Sequence, residues 1–180
     1  MKALLTMLSL LVFTNLYSQV KCAAVIDWQY TGNIDIYDKP TGKIIYQLKN
    51  DSANEDFLYL TINNEAGNYF NVSISFNSQL VSFNSQLANG NKTMDGWIRK
   101  ANYIGAYSRS EKFPMSLTLY KNKKISDSNK VVIENWTPSF LTIEKCANEW
   151  TLVSLHHHKK LYKGWIETNK LCANSYTYCN

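Results

Sequence analysis

A series of short segments in which apolar and polar residues alternate constrains this chain more than any other feature. Ile34-Asp35-Ile36-Tyr37, Phe57-Leu58-Tyr59-Leu60-Thr61-Ile62 and Tyr69-Phe70-Asn71-Val72-Ser73-Ile74-Ser75-Phe76 are rich in aromatic and β-branched residues. So are Ser116-Leu117-Thr118-Leu119-Tyr120, Val131-Val132-Ile133 and Trp150-Thr151-Leu152-Val153. Successive side chains of a strand point to opposite faces, so a period of two buries one face and wets the other. Clusters of Asn, Gly, Asp, Lys and Pro separate the runs, and no helical period is sustained after the N-terminal leader. The pattern predicts an all-β small barrel or sandwich. At 45% hydrophobic and 18% charged residues, the chain is too apolar for a disordered tail. Its 180 residues suit one ordinary domain or two very small ones.

The leader is a short basic start, Met1-Lys2, followed by Leu4, Leu5, Met7, Leu8, Leu10, Leu11, Val12 and Phe13, with no charge before Lys21. An apolar core of this length is short for a membrane span and fits a secretory signal peptide. Cleavage is expected after Ser18, making residues 1–18 the signal. A cut after Ala24 is the alternative and would discard Cys22. Lys21 before Cys22 argues against lipidation. No later segment predicts a membrane span, so the expected location is periplasmic or extracellular. The formal charge of +5 is a mild excess that favours solubility and predicts no nucleic-acid partner.

Four cysteines follow the cut, and in an exported chain they suggest two disulfides. Cys172 and Cys179 flank a short loop and are the easiest pair to close, which leaves Cys22 with Cys146. A zinc site is the alternative, disfavoured because no C-x-x-C pair is present.

Three landmarks recur in order. Gly96-Trp97-Ile98 matches Gly164-Trp165-Ile166, each followed by a polar stretch and an aliphatic, Ile104 or Leu171. Ile34-Asp35-Ile36-Tyr37 matches Leu117-Thr118-Leu119-Tyr120. Tyr69-Phe70-Asn71-Val72 is matched to Glu149-Trp150-Thr151-Leu152. A repeat in this order reads as a duplicated domain. The first copy is longer by a tandem insert near 75–93, in which Ser75-Phe76-Asn77-Ser78-Gln79-Leu80 is followed by Ser82-Phe83-Asn84-Ser85-Gln86-Leu87. Loop growth of this kind costs little closure entropy. The seam is expected near Ser108-Arg109-Ser110-Glu111-Lys112.

Each copy resembles a bacterial SH3 domain. The resemblance rests on the Leu-Asn-Val-Arg-like strands at Ile34-Asp35-Ile36-Tyr37 and Leu117-Thr118-Leu119-Tyr120, on the central aromatic strands, and on the two Gly-Trp-Ile segments. It covers nearly all of the chain after the leader and implies two tandem SH3-like small β-barrels, 19–110 and 111–180. The first copy departs from the family by its insert and by Tyr37 where Arg is common. The family implies non-catalytic recognition of cell-wall peptide or glycan. In barrels this small, large aromatics supply much of the buried area, so Trp97 and Trp165 are expected in the core, with a ligand surface as the alternative.

Catalytic patterns are sparse. His156, His157 and His158 are consecutive, so in a strand only two could share a face, and a polar hairpin loop explains them better than a metal site. No Gly-x-Ser-x-Gly elbow, cysteine–histidine machinery or phosphate-cradling glycine loop is evident, and no cofactor or metal is expected. Glu55-Asp56 reads as a solvated turn. Asn71-Val72-Ser73, Asn91-Lys92-Thr93 and Asn135-Trp136-Thr137 match the glycosylation acceptor pattern, which has little force in a bacterial envelope protein. The aromatic inventory is more informative. Tyr37, Tyr103 and Tyr107 are expected to flank one groove, and Tyr120, Trp136, Tyr162 and Tyr176 another, with Trp97 and Trp165 as further candidate contacts. Lys121, Lys123, Lys124, Lys159, Lys160 and Lys163 give the second copy a basic rim. The expected function is an exported, non-enzymatic binding module whose partner is peptidoglycan. An envelope adaptor or inhibitor that binds a protein is the alternative, and a metal-dependent hydrolase using residues 156–158 a remote one.

Overall fold

The structure is a computed structural model and describes residues 21–50, 57–76, 93–109 and 115–174. The expected signal peptide at residues 1–18, Glu55-Asp56, most of the insert, residues 110–114, Tyr176 and Cys179 lie outside the described residues. The chain is all-β. Its strands are β1 (Cys22–Ile26), β2 (Ile34–Tyr37), β3 (Ile44–Leu48), β4 (Leu58–Ala66), β5 (Tyr69–Phe76), β6 (Thr93–Arg99), β7 (Ile104–Ser108), β8 (Leu117–Tyr120), β9 (Lys130–Ile133), β10 (Phe140–Ala147), β11 (Trp150–His157), β12 (Lys160–Glu167) and β13 (Leu171–Cys172).

All pair antiparallel in one sheet, in the order β3-β2-β6-β5-β4-β1-β7-β10-β11-β12-β8-β9, with β13 also on β7. The first half runs β3-β2-β6-β5-β4-β1, and the second runs β9-β8-β12-β11-β10-β7 in the same sense. β7 returns to β1 in the first half as β13 returns to β7 in the second. Strand β7 therefore closes one half and opens the other: β10 occupies one of its edges, while β1 and β13 divide the other. A boundary at residues 110–111 leaves this strand hydrogen-bonded to both sides.

The registers coincide as well. Tyr37 lies opposite Trp97 and Tyr120 opposite Trp165. Val72 faces Gly96 and Val153 faces Gly164. Register shifts fall just after Ile62 in one half and just after Ile143 in the other. This corrects one sequence match: Tyr69 corresponds to Trp150, not to Glu149, because Ala66–Tyr69 and Ala147–Trp150 close equivalent hairpins.

Period-two alternation does the burying. In β2 and β8 alternate residues are buried, and the core joins Ile36, Phe70 and Ile98 to Leu119, Val153 and Ile166 through Ile26, Ile104 and Leu141. Helical structure among the described residues amounts to the 3-10 turns Asp127–Asn129 and Thr168–Lys170. With no helical layer to cover it, the sheet buries one face against other residues of the same sheet. The glycine of each Gly-Trp-Ile segment lets the neighbouring strand approach closely. A Cβ at Gly164 would stand 2.8 Å from Leu119 Cβ and 3.1 Å from the Tyr120 carbonyl oxygen. At Gly96 it would overlap the Ile36 Cγ2 methyl and stand 3.3 Å from the Tyr37 carbonyl oxygen.

Cys22 and Cys146 form a disulfide that ties β1 to β10, with Cα atoms 6.0 Å apart across 124 positions of sequence. Cys172 is also disulfide-bonded; its expected partner, Cys179, lies outside the described residues. Thiols held as disulfides are not the thiolates a zinc site needs.

Candidate binding surfaces

The tryptophans expected in the core sit elsewhere. In β6 the inner-face residues are Gly96 and Ile98, so Trp97 between them points outward and is only half-buried. The same alternation turns Trp165 outward between Gly164 and Ile166. Residues directly opposite on neighbouring strands share a face, so Tyr37 lies beside Trp97 and Tyr120 beside Trp165. Each pair gains a third ring from the next strand. Tyr69 meets Tyr37 edge to face at 5.6 Å and 85°, and Trp150 meets Tyr120 at 5.6 Å and 88°. The sheet therefore displays the same aromatic triad twice: Tyr37, Tyr69 and Trp97, then Tyr120, Trp150 and Trp165. Tyr69 and Trp150 were missed by sequence reasoning, because the central match was slipped by one residue and a slip of one exchanges the faces.

The surroundings of the two triads differ. Near the first, the Asn71 amide donates to the Gly96 carbonyl at 3.3 Å, and the Ser73 hydroxyl donates to the Asp95 carboxylate at 2.5 Å. Tyr103 stacks on Tyr30 with centroids 3.8 Å apart and planes 18° apart. Burial, then neighbouring Tyr30, Asp35 and Tyr37, push the Tyr103 phenol up to about 12. Near the second, the Lys123 ammonium lies 5.5 Å from the Trp165 ring centroid, and Lys163 pairs with Glu144 at 3.5 Å. The Ser154 hydroxyl donates to the same Glu144 at 2.7 Å.

Other expected contacts leave the surface. Trp136 is buried, 4% exposed, with its indole N–H donating to the Ser108 hydroxyl at 2.8 Å. It serves the core and lines no exposed groove. Tyr107 is buried too, edge-on to Phe140 at 5.6 Å, and burial pushes its phenol up to about 12. Tyr107 lies on the face of β7 opposite the core residues Ile104 and Ala106 and is covered there beside Phe140, so it adds no exposed ring to the expected groove with Tyr37 and Tyr103. Tyr162 is half-buried against the core under the Lys160 ammonium. Tyr176 lies outside the described residues. His156 and His157 end β11, and His158 with Lys159 makes the two-residue turn to β12, with φ of 46° and 63°. Two successive positive φ values fit the primed hairpin turn, so the polar hairpin expected there is what the segment forms. Among the described residues no three His, Cys, Asp or Glu side chains are grouped to hold a metal ion, and no helix is long and apolar enough to cross a membrane.

No protein-family model matches this chain, and no curated protein matches it. Among solved structures it is similar to NlpC1 from Trichomonas vaginalis, with 17% identity over 92% of this chain and 50% of that one, at a TM-score of 0.29. The chain thus spans about half the length of that structure. A likeness of this size carries no argument about the fold or chemistry of this chain.

Proposed function

We propose that this protein is a non-catalytic, exported binding module built of two SH3-like units, which lays a cell-wall glycan or peptide across its aromatic triads. The observation that supports the reading is the recurrence of a tyrosine, a second aromatic and a tryptophan at equivalent registers of the outer face, half-buried where the core does not need them. Aromatic faces flanked by amide, hydroxyl and charged groups suit the apolar faces and hydroxyl edges of sugars, and equally an extended backbone. Two such faces on one sheet would act together on a polymer, because the second contact is made at high effective concentration.

The test is co-sedimentation of the oxidised protein with purified peptidoglycan sacculi. Wild type should pellet at moderate salt. Trp97→Ala and Trp165→Ala should each weaken pelleting, and the double variant should abolish it with the β-sheet circular dichroism unchanged. No pelleting, or pelleting that salt removes, would overturn the wall-ligand reading, because only net charge would remain as its cause.

A protein partner is the second reading, and the two ends of the sheet favour it. β3 and β9 have one strand neighbour each among the described residues, and they expose Ile44, Ile45, Tyr46, Val131 and Val132. Edge strands with apolar side chains are templates for strand addition. Capture of one envelope protein by wild type, lost on Ile45→Lys, would select this reading.

A further inference from the structure

A cleft with a different lining lies at the junction of the halves. It has a volume of ≈ 290 Å³ and opens between β4 and β10, beside the loop that follows β8. Ile62 and Cys146 supply part of its apolar lining, and the Cys22–Cys146 disulfide holds that part covalently. Charge decides what such a cleft can take. Glu65 accepts a hydrogen bond from Lys100 Nζ at 2.8 Å and pairs with Lys145 Nζ at 3.2 Å, so its single negative charge is met twice. Lys123 lines the same cleft and has no ion pair among the described residues. Three lysines against one glutamate leave a positive potential, and a concave wall concentrates it.

We propose that this cleft binds the carboxylate of a small acidic ligand, with Lys123 and Lys145 as its cationic partners. The site already accommodates one carboxylate, that of Glu65, between lysines. Asn64 also lines the cleft. Its side-chain carbonyl accepts the Glu65 N–H at 2.8 Å, which leaves its NH₂ as a donor for a ligand oxygen. The volume is at the small end for ligand pockets, which suits one sugar acid or the last residue or two of a peptide rather than a polymer segment. Both sources offer the same chemistry, a carboxylate next to hydroxyl or amide groups.

Two-dimensional NMR titration of the oxidised full chain separates them. The probes are glucuronate against glucose, N-acetyl-Ala-Ala against its C-terminal amide, and inorganic phosphate. The proposal expects saturable shifts at Asn64, Lys123 and Lys145 with at least one of the two acids. Its neutral counterpart should bind at least tenfold more weakly, and the acid's affinity should fall several-fold in Lys123→Met and with rising ionic strength. The acid that binds more tightly identifies the source. Three results would overturn the proposal: no saturable shift with either acid up to about 10 mM, equal binding of acid and neutral forms, or phosphate binding as tightly as both acids. The probes are soluble and none is a polymer, so this site and the aromatic faces can fail independently.

Discussion

The two halves of the sheet differ least in strand pairing and most in what surrounds their aromatic faces. Both run the same strand order, shift register after an equivalent isoleucine and place glycine where the second strand of each half packs on the sixth. Around that shared plan the chemistry diverges. The first triad stands near a tyrosine stack, Asp95 and Arg99, and the second near Lys123 and Lys163. The hairpin between β4 and β5 turns on Gly67 at φ 55°, and its counterpart turns on Asn148 at the same φ. Features that set the path of the backbone are held in common, and features that meet solvent are free to specialise.

The largest expected effect comes from cutting the link between the halves. Cys22→Ala with Cys146→Ala should cost about 3–5 kcal/mol in urea denaturation, because the bond closes a loop of more than a hundred residues. One cooperative transition, shifted as a whole, is the expected form; two transitions would show that the halves are energetically separate. Next come the paired glycines. Gly96→Ala and Gly164→Ala should each cost about 1–3 kcal/mol by thermal melting, since each added methyl group meets a packed neighbour and a carbonyl oxygen. A neutral result at one site would break the equivalence.

Alkali tests the junction itself. Tyr103 and Tyr107, one preceding β7 and one within it, ionise near 10 when unfolded and near 12 when folded. Between those values the unfolded chain releases protons that the folded chain retains. Stability should therefore be intact below pH 10 and fall as pH rises toward 12. Tyr107→Phe should flatten that fall in pH-dependent denaturation, and a fall of unchanged steepness would place the cause elsewhere. The smallest effect is at the turn between β11 and β12. Lys159→Gly should stabilise by about 0.5–1 kcal/mol, because glycine adopts φ of 63° without the Cβ clash lysine incurs. A loss of stability there would mean that the lysine side chain contributes more than its backbone strain costs.

The alternation along β2, β5, β8 and β11 made the fold class legible, and the two Gly-Trp-Ile segments with their paired tyrosines gave the repeat its correct register. The third landmark misled because aromaticity was matched across the two faces: Phe70 is an inner residue and Trp150 an outer one. Trp97 was expected inside on size alone, but the glycine before it and the isoleucine after it already occupy the inner face. The cleft could not be read at all. Glu65, Lys100 and Lys145 are far apart in sequence and meet only because β4, β10 and the residue after β6 come together.

The dual membership of β7 has a consequence for how such a chain can be divided or rebuilt. A fragment that starts after residue 110 lacks its opening strand, and one that stops there leaves a β7 edge without its β10 partner. The pair is thus a single heritable unit: insertions can accumulate in the loops of either half, but neither half can be exchanged, deleted or circularly permuted at the seam without taking a strand from the other.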